Sequence, residues 1–170
     1  MSSRLGPPLL VTDFDGVLSV ATPNLSALDR LQADAVARLD RIVRETGALL
    51  AISSAWRYDG RRKVGAKADR LEGWLREKGY TGTVSGVTPH LGCRALEVQA
   101  YLNALPMPPR ALAILEDYEP MEHLTPWTVR TVYENRLTEG DTARAIGLLR
   151  RRGEAARPQR RTPSQLAFRW

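Results

Sequence analysis

The sequence predicts an α/β fold, a Rossmann-like three-layer αβα arrangement around a mainly parallel sheet. Three observations carry it. Short apolar runs alternate with stretches of helical period, the pattern of βα units. The polar residues with chemical potential directly follow apolar runs, and in open α/β sheets the carboxyl ends of the strands line the ligand crevice. The chain has 170 residues, enough for one domain with a buried core.

The elements follow in order. Leu9-Leu10-Val11-Thr12 is apolar and partly β-branched, hence a buried strand leading into Asp13. Leu28, Leu31, Ala35, Leu39, Ile42 and Val43 recur at helical spacing and predict a helix near 27–46, with Gly47 at its carboxyl cap. The run 48–52 is a second strand, ending in Ser53-Ser54-Ala55-Trp56-Arg57. Residues 58–65 are basic and glycine-broken, a loop; 66–78 read as a helix with Leu71, Trp74 and Leu75 on one face. A short strand at 83–87 precedes a helix at 94–104, which Pro106, Pro108 and Pro109 end. The run 111–115 is an apolar strand followed by Glu116-Asp117, and 129–133 is another. Residues 138–151 form a last helix, capped near Thr138 or Asp141.

The net charge of +6 is unevenly placed. From residue 150 onward there are seven arginines and one acid, Glu154, leaving 18 bases and 18 acids in the 149 residues before. The organisation expected is a single domain over 1–150 and an arginine-rich tail over 151–170. No apolar run approaches a membrane span, and the amino terminus lacks the apolar core of a secretory signal. A single cysteine, Cys93, excludes an internal disulfide framework and a multi-cysteine metal site. The expected compartment is the cytoplasm, with no membrane partner.

Asp13 and Asp15 stand two apart just past a strand, so persisting strand geometry points both side chains the same way. Like charges held close need a cation or a proton between them. Asp117 adds a carboxylate from another strand end. Magnesium takes oxygen ligands, and this set suits it better than zinc. An aspartate beside a bound phosphate can act as nucleophile, and a second carboxylate can move protons. The bland alternatives are an ordinary turn or a calcium loop, although the twelve-residue calcium pattern with its closing glutamate is absent.

Residues 9–18, an apolar strand then Asp13-Phe14-Asp15-Gly16-Val17-Leu18, resemble the first motif of the haloacid dehalogenase-like (HAD) superfamily. Ala51-Ile52-Ser53-Ser54 resembles the second, and its Ser-Ser-x-Trp-Arg form is similar to the HAD domains of Swiss-army-knife RNA repair proteins. Ile114-Leu115-Glu116-Asp117 resembles the fourth, and 135–141 a segment near the end of such domains. The resemblance implies a phosphohydrolase using Mg2+ and an aspartyl-phosphate. It makes Asp13 the nucleophile and a metal ligand, and Asp15 the general acid/base with its backbone carbonyl on the metal. Ser53 binds the phosphoryl group, with Ser54 as substitute, and Asp117 ligates the metal with Glu116 beside it.

Two positions depart from the pattern. The third motif usually supplies a lysine, and none lies between Gly79 and Asp117; Arg94 is the candidate, with Lys63 or Lys67 as fallbacks. Arginine binds phosphate bidentately, which makes the exchange chemically sensible. Glu116 replaces the usual aspartate. Arg57 is a candidate for reaching substrate phosphate from the crevice rim, or else a structural ion pair. Trp74 and Trp127 are assigned to packing, Trp56 to packing ahead of a base-stacking platform, and His90 and His123 to ordinary surface or loop positions.

Only 37 residues separate Asp15 from Ser53, and 54–94 holds a helix, a strand and loops. Neither span accommodates a full cap domain, so a capless, open site is expected. Such a site favours a large phosphorylated substrate, including a polynucleotide end or a phosphoprotein. The arginine tail and Arg61-Arg62-Lys63 would add salt-dependent attraction for nucleic acid. The tail reads equally as a solvated extension, or as a segment docking through Leu166, Phe168 and Trp170. The rival reading is a catalytically silent HAD-like binding or regulatory module, motivated by Arg94 and Glu116.

Overall fold

The computed structural model describes residues 4–57 and 67–151. Five strands form one sheet: β1 (Leu9–Thr12), β2 (Leu49–Ile52), β3 (Val84–Val87), β4 (Leu112–Glu116) and β5 (Thr128–Arg130). The order is β3-β2-β1-β4-β5, and every neighbouring pair is parallel. The most apolar strands, β2, β1 and β4, are therefore the interior ones, where both faces are covered and continuous apolar runs belong. Their side chains alternate between two cores. Leu10, Leu50, Ile52, Ala113 and Leu115 face α2 (Ala33–Thr46), α3 (Lys67–Glu77) and α5 (Glu139–Arg150). Leu9, Val11, Ala51, Leu112 and Ile114 pack with Val98 and Leu102 of α4 (Arg94–Ala104) and with Met121 and Leu124. The result is the αβα sandwich expected. Among the described residues, no helix is long and apolar enough to cross a membrane.

The helix ends follow their local chemistry. Gly47 closes α2 at φ 69°, its N–H donating to the Val43 carbonyl, as a left-handed cap requires. Thr138 and Asp141 cap α5 reciprocally, each side chain reaching the other's backbone N–H. The helix expected over 27–46 is instead two helices, a single turn α1 (Ala27–Arg30) and then α2. Leu31 is extended and pairs with Ser19, and the Gln32 N–H donates to the Leu18 carbonyl. Leu31 keeps its helical spacing in sequence but enters the core through this bridge, fully buried. The last strand is also shorter than expected. It ends at Arg130, and 133–135 turn as a 3-10 helix.

Between Asp15 and Ser53 the chain holds α1, α2 and β2, and between Ser54 and Arg94 the described residues hold a 3-10 turn, α3 and β3. No inserted domain stands over the carboxyl end of the sheet among the described residues. The expected loop at 58–65, Lys63 and the 152–170 segment lie outside the described residues, as does the side chain of Lys67.

Candidate active site

Asp13 leaves the central strand β1. Its own N–H is taken by the Leu115 carbonyl, and the next strand's Ser53 N–H by the Thr12 carbonyl, so β-ladder bonds extend to the edge of the site. The Phe14 N–H donates to Asp13 Oδ1 at 2.6 Å. A tight turn follows, with the Leu18 and Ser19 N–H groups both donating to the Phe14 carbonyl. Gly16 adopts φ 72°, and a Cβ there would stand 2.3 Å from Asp117 Oδ2. The glycine is needed twice, for its left-handed backbone and for the room it leaves the third carboxylate. The Thr131 hydroxyl, just past β5, holds the Gly16 carbonyl at 2.8 Å.

Oxygens of Asp13, Glu116 and Asp117 lie within 4.8 Å of one another. Arg94, the first residue of α4, faces this group. Its guanidinium reaches Asp13 Oδ2 at 3.3 Å, Ser53 Oγ at 3.2 Å and Glu116 Oε2 at 3.5 Å. The two positions that depart from the motif pattern are thus in contact with each other. Ser53 Oγ also accepts from Thr88 Oγ1 at 3.0 Å. With two donors directed at it, the hydroxyl has its own proton to offer an incoming oxygen. Ser54 is more occupied: its Oγ accepts from the Trp56 N–H and its carbonyl from Arg57.

Burial pushes the Asp13 carboxyl up to about 6; Arg94, the Phe14 N–H and the Ser54 hydroxyl pull it down, and Asp117 adds to the rise. Burial and then the neighbouring Asp13 push Glu116 up to about 8, against Arg94 and the Glu119 and Tyr118 N–H groups. Burial works to lower the Arg94 guanidinium, but Asp13 and Glu116 hold it above its ordinary value. Among the described residues three carboxylates face one cation, so the site carries uncompensated negative charge when all are ionised. A hard divalent cation relieves this. The donors are all oxygens, and the space that Gly16 leaves lets Asp117 complete the group, so the residues fit magnesium better than a softer metal. Asp13 and Asp117 would hold it. Glu116 lies beside them, although its Oε1 already accepts from the Tyr118 and Glu119 N–H groups.

Asp15 is not part of that acidic group. Its Oδ1 accepts from Ser19 Oγ at 3.0 Å and its Oδ2 from the Trp56 indole N–H at 2.7 Å. Trp56 is expected to pack, with base stacking as its alternative. It does pack, edge-on against Phe14 and Trp74, but its polar edge is committed to Asp15.

Arg57 corrects the expectation of a rim residue. Its side chain is fully buried, with Nε donating to the Thr88 carbonyl, Nη2 to Pro89, and a 2.5 Å ion pair to Glu97. Glu97 in turn accepts from the Leu91 and Gly92 N–H groups. The guanidinium ties the end of β2 to the loop that delivers Arg94. It touches the site through that loop and not by reaching substrate. Thr88 and Thr131 were not singled out from the sequence. Both directly follow strands, the signal that had marked Ser53.

An all-parallel αβα sheet with carboxylates at two adjacent strand ends, a serine at a third and a facing cation defines the class of HAD-like hydrolase domains. Residues 9–142 match the family described as the HAD domain in Swiss Army Knife RNA repair proteins, and the chain belongs to that family. A comparison with curated proteins finds no match.

Proposed function

We propose that the chain is a Mg2+-dependent phosphomonoester hydrolase working through an aspartyl-phosphate at Asp13, with an open site suited to the phosphate end of a large substrate such as a polynucleotide. The observation that carries this is Arg94, whose guanidinium spans Asp13 and Ser53 and so stands where a phosphoryl group would be bound. The Phe14 N–H pins Asp13 Oδ1, which leaves Oδ2, on the Arg94 side, as the attacking atom. Arg94 and the Ser53 hydroxyl donate to the phosphoryl oxygens. The Oδ2–P bond forms as the bond from phosphorus to the leaving oxygen breaks, and Asp15 gives that oxygen a proton. Asp15 then takes a proton from a water that attacks phosphorus, which releases phosphate and frees Asp13. Magnesium, when bound at Asp13 and Asp117, supplies the positive charge that lets a carboxylate approach an anionic phosphate.

The rival is a binding module without turnover. The engagement of Asp15 by Trp56 and Ser19, outside the acidic group, is the observation on its side. Magnesium-dependent phosphate release from p-nitrophenyl phosphate and from 3′- and 5′-phosphorylated oligonucleotides separates the two. Wild type is expected to turn over and Asp13→Asn to lose at least about a thousandfold. Equal inactivity of both proteins across magnesium concentrations would sink the enzyme reading and leave the module.

A further inference from the structure

Asp15 has one partner that can change its role and one that cannot. Ser19 Oγ donates to Asp15 Oδ1, but the Phe14 carbonyl lies 3.3 Å from the same hydroxyl. The hydroxyl can therefore turn from one acceptor to the other, and can itself accept. The Trp56 indole N–H is a donor only. At 2.7 Å it commits Asp15 Oδ2 as an acceptor whatever else happens at the carboxyl group. The indole is also held in place. Phe14 meets it edge-on with centroids 5.4 Å apart, Trp74 likewise at 6.2 Å, and the Arg30 guanidinium lies over the ring at 4.7 Å. Such contacts fix a side chain that has few torsions to lose.

Resting on the phosphohydrolase reading, we propose that Trp56 is a positioning residue for proton transfer: it immobilises Oδ2 so that Oδ1 alone exchanges protons with the leaving oxygen and the attacking water. The balance is simple. The proton leaves Oδ1 for the departing alkoxide as the P–O bond breaks, and returns to Oδ1 from water in the second step. Ser19 follows by turning between Oδ1 and the Phe14 carbonyl. Trp56 touches neither phosphate nor metal in this scheme, so its loss weakens leaving-group protonation and leaves phosphoryl binding alone.

That separation gives the test. A leaving group that departs readily as an anion needs little protonation, whereas an alkyl alcohol needs it fully. Trp56→Phe keeps the aromatic packing and removes the N–H. The value of kcat/KM, which reports the steps through leaving-group departure, is measured for p-nitrophenyl phosphate and for a simple alkyl phosphate. The expected result is a loss at least about tenfold greater for the alkyl ester, with the inhibition constant of inorganic phosphate unchanged. Benzothienylalanine at position 56, which keeps the indole shape and lacks the donor, should behave the same and covers the case in which Trp56→Phe fails to fold. Equal losses on both esters, or none on either, overturn the assignment while the phosphohydrolase reading stands. A wild type that hydrolyses neither ester nor the 3′- and 5′-phosphorylated oligonucleotides, which are themselves alkyl phosphates, overturns both.

Discussion

At the carboxyl end of the sheet the strands run out into Asp13, Ser53, Thr88, Asp117 and Thr131, while at the amino end they are entered from Pro8, Ala48, Thr83 and Ala111. The first end buries Asp13, Glu116, Ser53, Thr88 and Thr131 nearly completely. The second holds a small, mostly apolar cleft of about 120 Å³ lined by Pro7, Leu49, Leu105, Pro106, Met107 and Pro109, beside a larger one bordered by Leu5, Glu45, Arg110 and Arg150. The same three- to five-residue strands are thus entered through mostly apolar residues at one end and present desolvated charge at the other. Removing an apolar group should harm the fold, and removing a charged one should harm chemistry with little harm to the fold, because buried like charges oppose folding.

Leu10→Ala, at a fully buried position of the central strand, should lower unfolding free energy by about 2–5 kcal/mol in urea titration, while Asp13→Asn should leave it unchanged or raised. A destabilised Asp13→Asn would break the comparison, since it would make the carboxylate part of the scaffold. Glu97 sharpens it from the same carboxyl end, as a buried charge that is paired. Breaking that pair with Glu97→Gln should cost about 3 kcal/mol at neutral pH. Burial pushes the Glu97 carboxyl up, but the Leu91 N–H and the Arg57 guanidinium outweigh it and hold it below its ordinary 4.5. A depressed folded value means the stabilisation is full above about pH 4.5 and fades as pH falls through the lower folded value. Melting curves of wild type and Glu97→Gln should therefore converge in acid; a constant offset down to about pH 2 would contradict the pairing. The smallest loss of stability expected belongs to Gly16→Ala, about 1–2 kcal/mol from its positive φ. Its larger signature should be the loss of any magnesium-induced rise in melting temperature, because the added carbon displaces Asp117.

The contrast also explains what was legible in the sequence. Strand existence and helix type follow from periodicity, and the 94–104 helix falls at its expected bounds. Asp13, Ser53, Glu116 and Asp117 could be marked because each ends or follows a strand, a local signal. The misreadings are all nonlocal. Leu31 has perfect helical spacing, and only the approach of Ser19 makes it extended. Arg57 sits beside Ser53 and Ser54, and acceptors it meets among the described residues lie in Ser54 and in a segment about thirty to forty residues on. Trp56 finds Asp15 across 41 residues. Polar partners chosen by tertiary packing leave no periodic trace, and residue type alone does not tell a buried guanidinium from an exposed one.

Gly16 has a consequence for how such a site is mapped. Alanine scanning treats each substitution as a subtraction and passes over glycine as having nothing to subtract. Here the substitution is an addition, and the volume it fills already belongs to an aspartate one hundred residues away. A map of this site drawn only from side chains would omit one of its parts, a vacancy reserved in the main chain, and an inventory of contacts would assign the resulting defect to Asp117.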